Sequence, residues 1–260
     1  MLPGISIFNF SGVYDEESFY RPDKGSSFYD VKYVDLKGIP GTNCMCDDDA
    51  RKEILRIMED NHIGANELHF IDSGNYHYMS ALLTGLVKEP FSLVVLDHHP
   101  DMLRPMFDIL SCGGWVLDVL EKNEYLQEVH IVGADKRLID ELDENDRNKV
   151  SFYDGSAMDE VDPRYPVYLS IDKDVVSRGE LITNWDQGKM RALDLFDFVK
   201  ELNEKHRIIG VDVCGECATD QEDYDVAGAI KGNDEFNRKI LELPLESLSY
   251  AASSVVLAAD

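Results

Sequence analysis

The run Phe91-Ser92-Leu93-Val94-Val95-Leu96 passes without a break into Asp97-His98-His99-Pro100-Asp101. A short, nearly continuous apolar run of this kind makes a strand covered on both faces, as in a parallel sheet. The acids and imidazoles therefore begin where the strand ends. If the chain stays extended there, Asp97, His99 and Asp101 face one way, because side chains along a strand alternate. Two carboxylates and an imidazole on one side either repel each other or hold a cation. The mixed donor set suits Mn, Zn or Fe(II) rather than Ca or Mg alone. Taken alone, the segment is explained as simply by a polar loop that ends a strand.

Two further segments repeat the pattern. Tyr165-Pro166-Val167-Tyr168-Leu169-Ser170-Ile171 is apolar and β-prone and ends in Asp172-Lys173-Asp174. Leu68-His69-Phe70-Ile71 ends in Asp72-Ser73-Gly74-Asn75-Tyr76-His77. Three strands thus deliver acids and imidazoles at their carboxyl ends, the edge where open α/β sheets bind ligands.

The remaining chain alternates strands with helices. Strands are expected at 4–10, 31–36, 128–132, 150–153 and 207–213, besides the three above. Helices are expected from Asp47-Asp48-Asp49 to about Asn61, then at 76–87, 115–121, 136–142 and 193–204. The acids at 47–49 suit the positive end of a helix better than a Ca site. Residues 15–29 read as a polar and aromatic loop, and the tail from Asn233 alternates helix-like and small-residue segments. This alternation predicts an α/β fold of three layers, α/β/α, with a mostly parallel sheet. With no repeat, low-complexity segment or linker, the 260 residues are expected to form a single domain over 1–260.

The 51 acidic and 25 basic residues give a formal charge of −26, which argues against nucleic acid and anionic membrane surfaces as partners. It is compatible with cations and with a cationic small-molecule substrate, and it leaves a homo-oligomer open. No secretory leader and no membrane-spanning apolar run are read at the sequence level, so a cytoplasmic location is expected. The cysteines Cys44, Cys46, Cys112, Cys214 and Cys217 suggest no disulfide framework. Cys44/Cys46 with Cys214/Cys217 is a weak zinc pattern, and reduced thiols are the preferred reading.

Three of these motifs resemble those of the arginase/agmatinase/formiminoglutamase family, the ureohydrolases. Gly74-Asn75-Tyr76-His77-Tyr78-Met79-Ser80 stands where that family has G-G-D-H-S. Asp97-His98-His99-Pro100-Asp101 matches D-A-H-x-D, and Ser170-Ile171-Asp172-Lys173-Asp174 matches S-x-D-x-D. The resemblance implies two Mn(II) per chain, with Zn, Fe or Co as alternatives, held by His77, Asp97, His99, Asp101, Asp172 and Asp174. It implies hydrolysis of a non-peptide C–N bond in a guanidino or amidino compound by a metal-bridging hydroxide. The four carboxylates would balance the two cations, and Asp101 would accept a hydrogen bond from the hydroxide.

This chain also departs from the family. Tyr76 replaces the Asp before the first ligand His. Val175-Val176 follows the S-x-D-x-D segment where the family continues to another Asp. The loop after Asp101 reads Met102-Leu103-Arg104-Pro105 and offers no equivalent of the His that recognises an amino acid in arginases. Glu216, expected to act in catalysis and to hold the guanidinium, stands one residue later than the family Glu, a slip that Gly215 could absorb as a bulge. Trp185 and Asp186, in Thr183-Asn184-Trp185-Asp186-Gln187-Gly188, are candidates to stack on and pair with a planar cationic group. Two alternatives stay open: a zinc-dependent deacetylase of the same superfamily, and a metal-binding relative without catalysis.

Overall fold

Eight parallel strands make the backbone of the molecule. In the computed structural model, which describes residues 4–21, 30–221, 223–245 and 248, these are β1 (Gly4–Asn9), β2 (Asp30–Asp35), β4 (Leu68–Ser73), β5 (Phe91–Leu96), β7 (Leu126–Val132), β8 (Ser151–Tyr153), β9 (Val167–Asp172) and β10 (Ile208–Glu216). Their spatial order is β2-β1-β4-β10-β9-β5-β7-β8, and every neighbouring pair runs parallel. Two short strands, β3 (Met45–Cys46) and β6 (Leu110–Ser111), pair antiparallel apart from the main sheet.

Burial follows position in the sheet. β4, β5, β9 and β10 are buried at every residue, whereas edge strand β2 is mostly exposed. This is why the central strands read as unbroken apolar runs. Helices close both faces. On one side α6 (Ala192–Lys205) and α7 (Val226–Leu241) set Leu195, Phe198, Val199, Leu202, Phe236 and Ile240 against Val211, Val213, Leu169 and Ile171. On the other, α1 (Asp48–Asp60), α2 (Met79–Thr84) and α3 (Trp115–Lys122) pack Ile54, Met58, Leu83 and Trp115 on Val95, Leu93 and Ile71. Two small helices, α4 (Lys136–Asp140) and α5 (Glu144–Arg147), lie between β7 and β8 in the chain. The result is the expected three-layer α/β/α architecture. No helix among the described residues is long and apolar enough to cross a membrane.

Asp47 caps α1, its carboxylate accepting from the backbone N–H of Asp49 and Ala50, so this acid run starts a helix as expected. Three differences from the sequence reading matter. The helix expected over 76–87 is a 3-10 turn, Gly74–Tyr76, followed by a short α2. The last strand continues three residues further, to Glu216. α7 begins at Val226, before the expected helix-like tail, because Gly228 and Gly232 dilute its apolar pattern. The expected loop at 15–29 lies outside the described residues over 22–29, as does most of the tail after 245.

Candidate metal centre

β4, β10, β9 and β5 are neighbours and end at one edge of the sheet. From β4 the 3-10 turn delivers His77. Asp97 directly follows β5. Asp172 closes β9, and Asp174 sits in the 3-10 turn Lys173–Val175. The three segments converge. His77 Nδ1 lies 3.0 Å from Asp101 Oδ2, 3.3 Å from Asp97 Oδ2 and 3.4 Å from Asp172 Oδ2. His99 Nδ1 lies 2.8 Å from Asp174 Oδ2 and 3.6 Å from Asp97 Oδ1. Asp97 therefore turns one oxygen to each group. The donor atoms of His77, Asp97 and Asp101 fall within 4.8 Å of one another, as do those of Asp97, His99 and Asp174.

The convergence does not come from an extended strand. Asp101 has φ of 49°, in the left-handed region, so the chain turns after Leu96. The Asp97 carboxylate holds the turn by accepting the His99 N–H at 2.6 Å. Asp101 Oδ2 is fixed from outside the motif by Trp115 Nε1–H at 2.7 Å. The second acidic pair is built the same way, Asp172 Oδ1 accepting the Asp174 N–H at 2.9 Å.

Behind each imidazole stands a carboxylate. Ser170 Oγ donates to Asp212 Oδ1 at 2.6 Å and sits 3.0 Å from His77 Nε2. With that hydroxyl hydrogen committed, Nε2 is the nitrogen that donates to Ser170, and Nδ1 is the one that faces the acids, free to offer a lone pair once a cation replaces its proton. His99 Nε2 lies 3.0 Å from Asp186 Oδ1, which leaves its Nδ1 facing Asp174 and Asp97. Outer carboxylates that fix the tautomer of a histidine are the usual support of a metal ligand.

The acids cannot all be charged comfortably without cations. Burial and the charge of Asp97 push Asp172 up to about 6. Burial, then Asp172 and Asp97, hold Asp174 well above the carboxylate range. Burial also works to raise Asp97, but hydrogen bonds from His77 and His99 outweigh it and keep that group low. Burial alone would lower His77, yet Asp101 and Asp97 lift it well above the ordinary imidazole value. Two protonated imidazoles thus do the work that divalent cations would do. Asp97 Oδ2 is moreover fully buried, with His77 Nδ1 at 3.3 Å beside it. Four buried carboxylates and two oriented imidazoles are a donor set that fits divalent cations.

Of the residues singled out in the sequence, His77, Asp97, His99, Asp101, Asp172 and Asp174 are brought together. Trp185 lines the cavity above them with the same six. Asp186 stands beside it, with Oδ1 3.0 Å from His99 Nε2 and Oδ2 3.6 Å from His98 Nε2. Glu216 requires a correction. No bulge returns it to the site. It is wholly buried on the other side, where Oε1 lies 2.5 Å from Lys173 Nζ and 2.8 Å from Asn237 Nδ2. Gly215 holds the position nearest the acids; a Cβ there would stand 2.4 Å from Asp172 Oδ1. Strand parity decides this, since Lys173 points away from the edge that Asp172 and Asp174 face and takes Glu216 with it. Among the described residues, no cluster joins Cys44 or Cys46 to Cys217. Among the described residues, Cys214 is the cysteine that joins a candidate ligand group, with His77 and Asp172.

The back cluster also contains Glu17, whose Oε2 accepts from Asn237 Nδ2 at 3.0 Å. Burial, then the charge of Glu216, raises Glu17 from 4.5 to about 10. An acid raised on folding contributes stability that is complete below its unfolded value and is lost as pH rises through its folded value. Stability should therefore decline from about pH 5 towards pH 10. Glu17→Gln, which mimics the protonated acid, should flatten this slope in urea unfolding measured across that range. An unchanged slope would mean that Glu17 is not protonated in the native state.

Sequence reasoning missed Ser170, Asp212 and Trp115 as supporting residues. A signal existed for Asp212, an acid inside an otherwise apolar central strand, which must find a partner there.

No family model matches the chain. An uncharacterized protein of Thermotoga maritima is 31% identical over 222 residues, covering 82% of this chain and 80% of its own length. Among solved structures, the agmatine ureohydrolase of Thermoplasma volcanium superposes with a TM-score of 0.65 at 16% identity, over 95% of this chain and 90% of its own. The formimidoylglutamase of Bacillus subtilis gives 0.62 at 12%, over 96% and 88%. A triple mutant of an arginase-like protein of T. brucei, bound with Mn2+, gives 0.59 at 16%, over 93% and 91%. The fold of this chain is therefore the ureohydrolase fold.

Proposed function

We propose that this chain, which belongs to one family with the Thermotoga maritima protein and has the ureohydrolase fold, is a divergent ureohydrolase. It would be a hydrolase of a non-peptide C–N bond in a guanidino or amidino compound, with two Mn(II) held by His77, Asp97, His99, Asp101, Asp172 and Asp174. The observation that carries this reading is the pair of ligand groups sharing Asp97 at the floor of a cavity. Two divalent ions bound there would supply a water whose pKa is brought towards neutrality.

The chain's own residues supply the rest. The four carboxylates neutralise the ions. Ser170 with Asp212, and Asp186, hold the two imidazoles with Nδ1 inward. Trp115 occupies Asp101 Oδ2, which leaves Oδ1 to accept a proton from the attacking water and return it to the departing nitrogen. The carbon gains the water's oxygen, the C–N bond breaks and the amine leaves protonated. A guanidine would give urea and an amine.

Metal analysis after incubation with Mn(II) should find close to two ions per chain. A panel of arginine, agmatine, 4-guanidinobutyrate and formiminoglutamate at mildly alkaline pH should not single out arginine. Met102, Leu103 and Pro105 give an amino acid's carboxylate and ammonium no partners, and unpaired charges are costly to bury. A protein that binds no transition metal would sink the proposal, and preferential turnover of arginine would overturn the reading of the loop.

A further inference from the structure

We infer that the substrate carries an apolar group beside its scissile C–N centre and no carboxylate. This inference rests on the hydrolase reading above and concerns the walls of the same site. The cavity measures about 330 Å3, room for a small molecule and not for a polymer. Above the six floor residues its walls include Met45, Pro100, Leu103, Leu138 and Trp185, with the thiols of Cys44 and Cys112 between them. Among the described residues no Lys or Arg lines it. With the four acids matched to the ions, a substrate carboxylate reaching the walls would be stripped of water with no cation of the chain to meet it.

Three of these walls are unusual for a surface. Leu103 is 63% exposed, Met45 49% and Trp185 40%. Large apolar side chains gathered at one opening mark a binding surface. Trp185 is also held in place. Its Nε1 donates to Asn75 Oδ1 at 2.9 Å, and the same oxygen accepts Asn184 Nδ2 at 2.9 Å. Asn75 Nδ2 in turn donates to Asn43 Oδ1, and Asn184 Oδ1 accepts the Gly74 N–H, both at 2.9 Å. This web ties the segments carrying Met45, His77 and Trp185 to one another. The indole lies so close over Gly74 that a Cβ there would come within 2.7 Å of Trp185 Cδ1. An exposed ring fixed in one orientation is a preorganised flat wall, which costs little ordering when an apolar partner stacks on it.

The head of the substrate meets no carboxylate from β10, since Gly215 stands there and Glu216 is turned away. Beyond the floor, Glu141 is the acid on the wall. It could draw a distant ammonium, so a cationic tail is the strongest competitor.

The experiment is calorimetric binding to the full chain loaded with Mn(II), using benzylguanidine, agmatine, 4-guanidinobutyrate and N-benzylformamide. Benzylguanidine should bind about 10-fold or more tightly than 4-guanidinobutyrate, the scale on which apolar pockets discriminate. Agmatine should fall below benzylguanidine. Trp185→Ala should remove most of the advantage while Trp185→Phe retains part of it, with folding checked by circular dichroism. Leu103→Lys should strengthen 4-guanidinobutyrate. Equal or tighter binding of 4-guanidinobutyrate or agmatine overturns the inference. Binding of N-benzylformamide without any guanidine overturns the guanidine reading and upholds the apolar wall. If none of the four binds, both fail.

Discussion

Asp97→Ala should abolish the stabilisation expected from Mn(II) and, on the proposed two-ion site, lower the bound metal well below two per chain. Asp97 is the one residue with an oxygen in both ligand groups, Oδ2 towards His77 and Oδ1 towards His99. Ions that bind only the native state stabilise it by mass action, about 4 kcal/mol for one site at 1,000 times its Kd. The variant should show almost none of this in thermal unfolding with and without Mn(II), and C–N hydrolysis should vanish with it. Asp49→Ala, on the exposed first turn of α1, should respond to metal as the unaltered protein does. A normal metal response in Asp97→Ala would remove the shared carboxylate from the site.

Lys173→Met should destabilise the fold by about 3–5 kcal/mol, because it leaves the buried Glu216 side chain without its ion-pair partner. Both side chains are fully enclosed, and Asn237 bridges them, 3.3 Å from Lys173 Nζ. Neighbouring Glu17 offers no charge in compensation. The double variant Lys173→Met/Glu216→Leu should recover much of the loss, since apolar replacements of a whole buried pair are often tolerated. Equilibrium urea unfolding of the two variants decides the matter. A single-variant loss below about 1 kcal/mol would show that water reaches the pair. The same variant should weaken metal binding less than Asp97→Ala, since Lys173 backs the acidic turn without touching the ions.

The floor of the site was legible because its acids interrupt apolar runs. A buried parallel strand has one way to end in charge, at its edge, and three such ends found each other. Their orientation was less legible. Period two placed Asp97, His99 and Asp101 on one side, but the left-handed turn at Asp101 and the hydrogen bond from Trp115 bring them together. A backbone reversal of this kind has no periodic trace. Glu216 was misplaced for a related reason. Whether a residue beside a glycine is carried towards one face or the other depends on what the neighbouring segment presents, and here Lys173, in the turn just after β9, claims it. Ser170 reads as an ordinary strand position, although with Asp212 it positions the His77 ring. The glycines of α7 hid a helix that tertiary packing sustains.

Gly215 also limits how this site could change by descent. Its φ of 95° disfavours any side chain, and Asp172 already occupies the space a Cβ would need. A carboxylate for gripping a guanidinium therefore cannot be gained here by one substitution. The strand would first have to flatten, and the Lys173–Glu216 pair behind it would have to be rebuilt in the same step. Single substitutions at Gly215 are therefore expected to fold poorly. Changes of preference are expected to accumulate instead on the walls, at Met45, Leu103 and Trp185, where each single replacement leaves the metal floor intact.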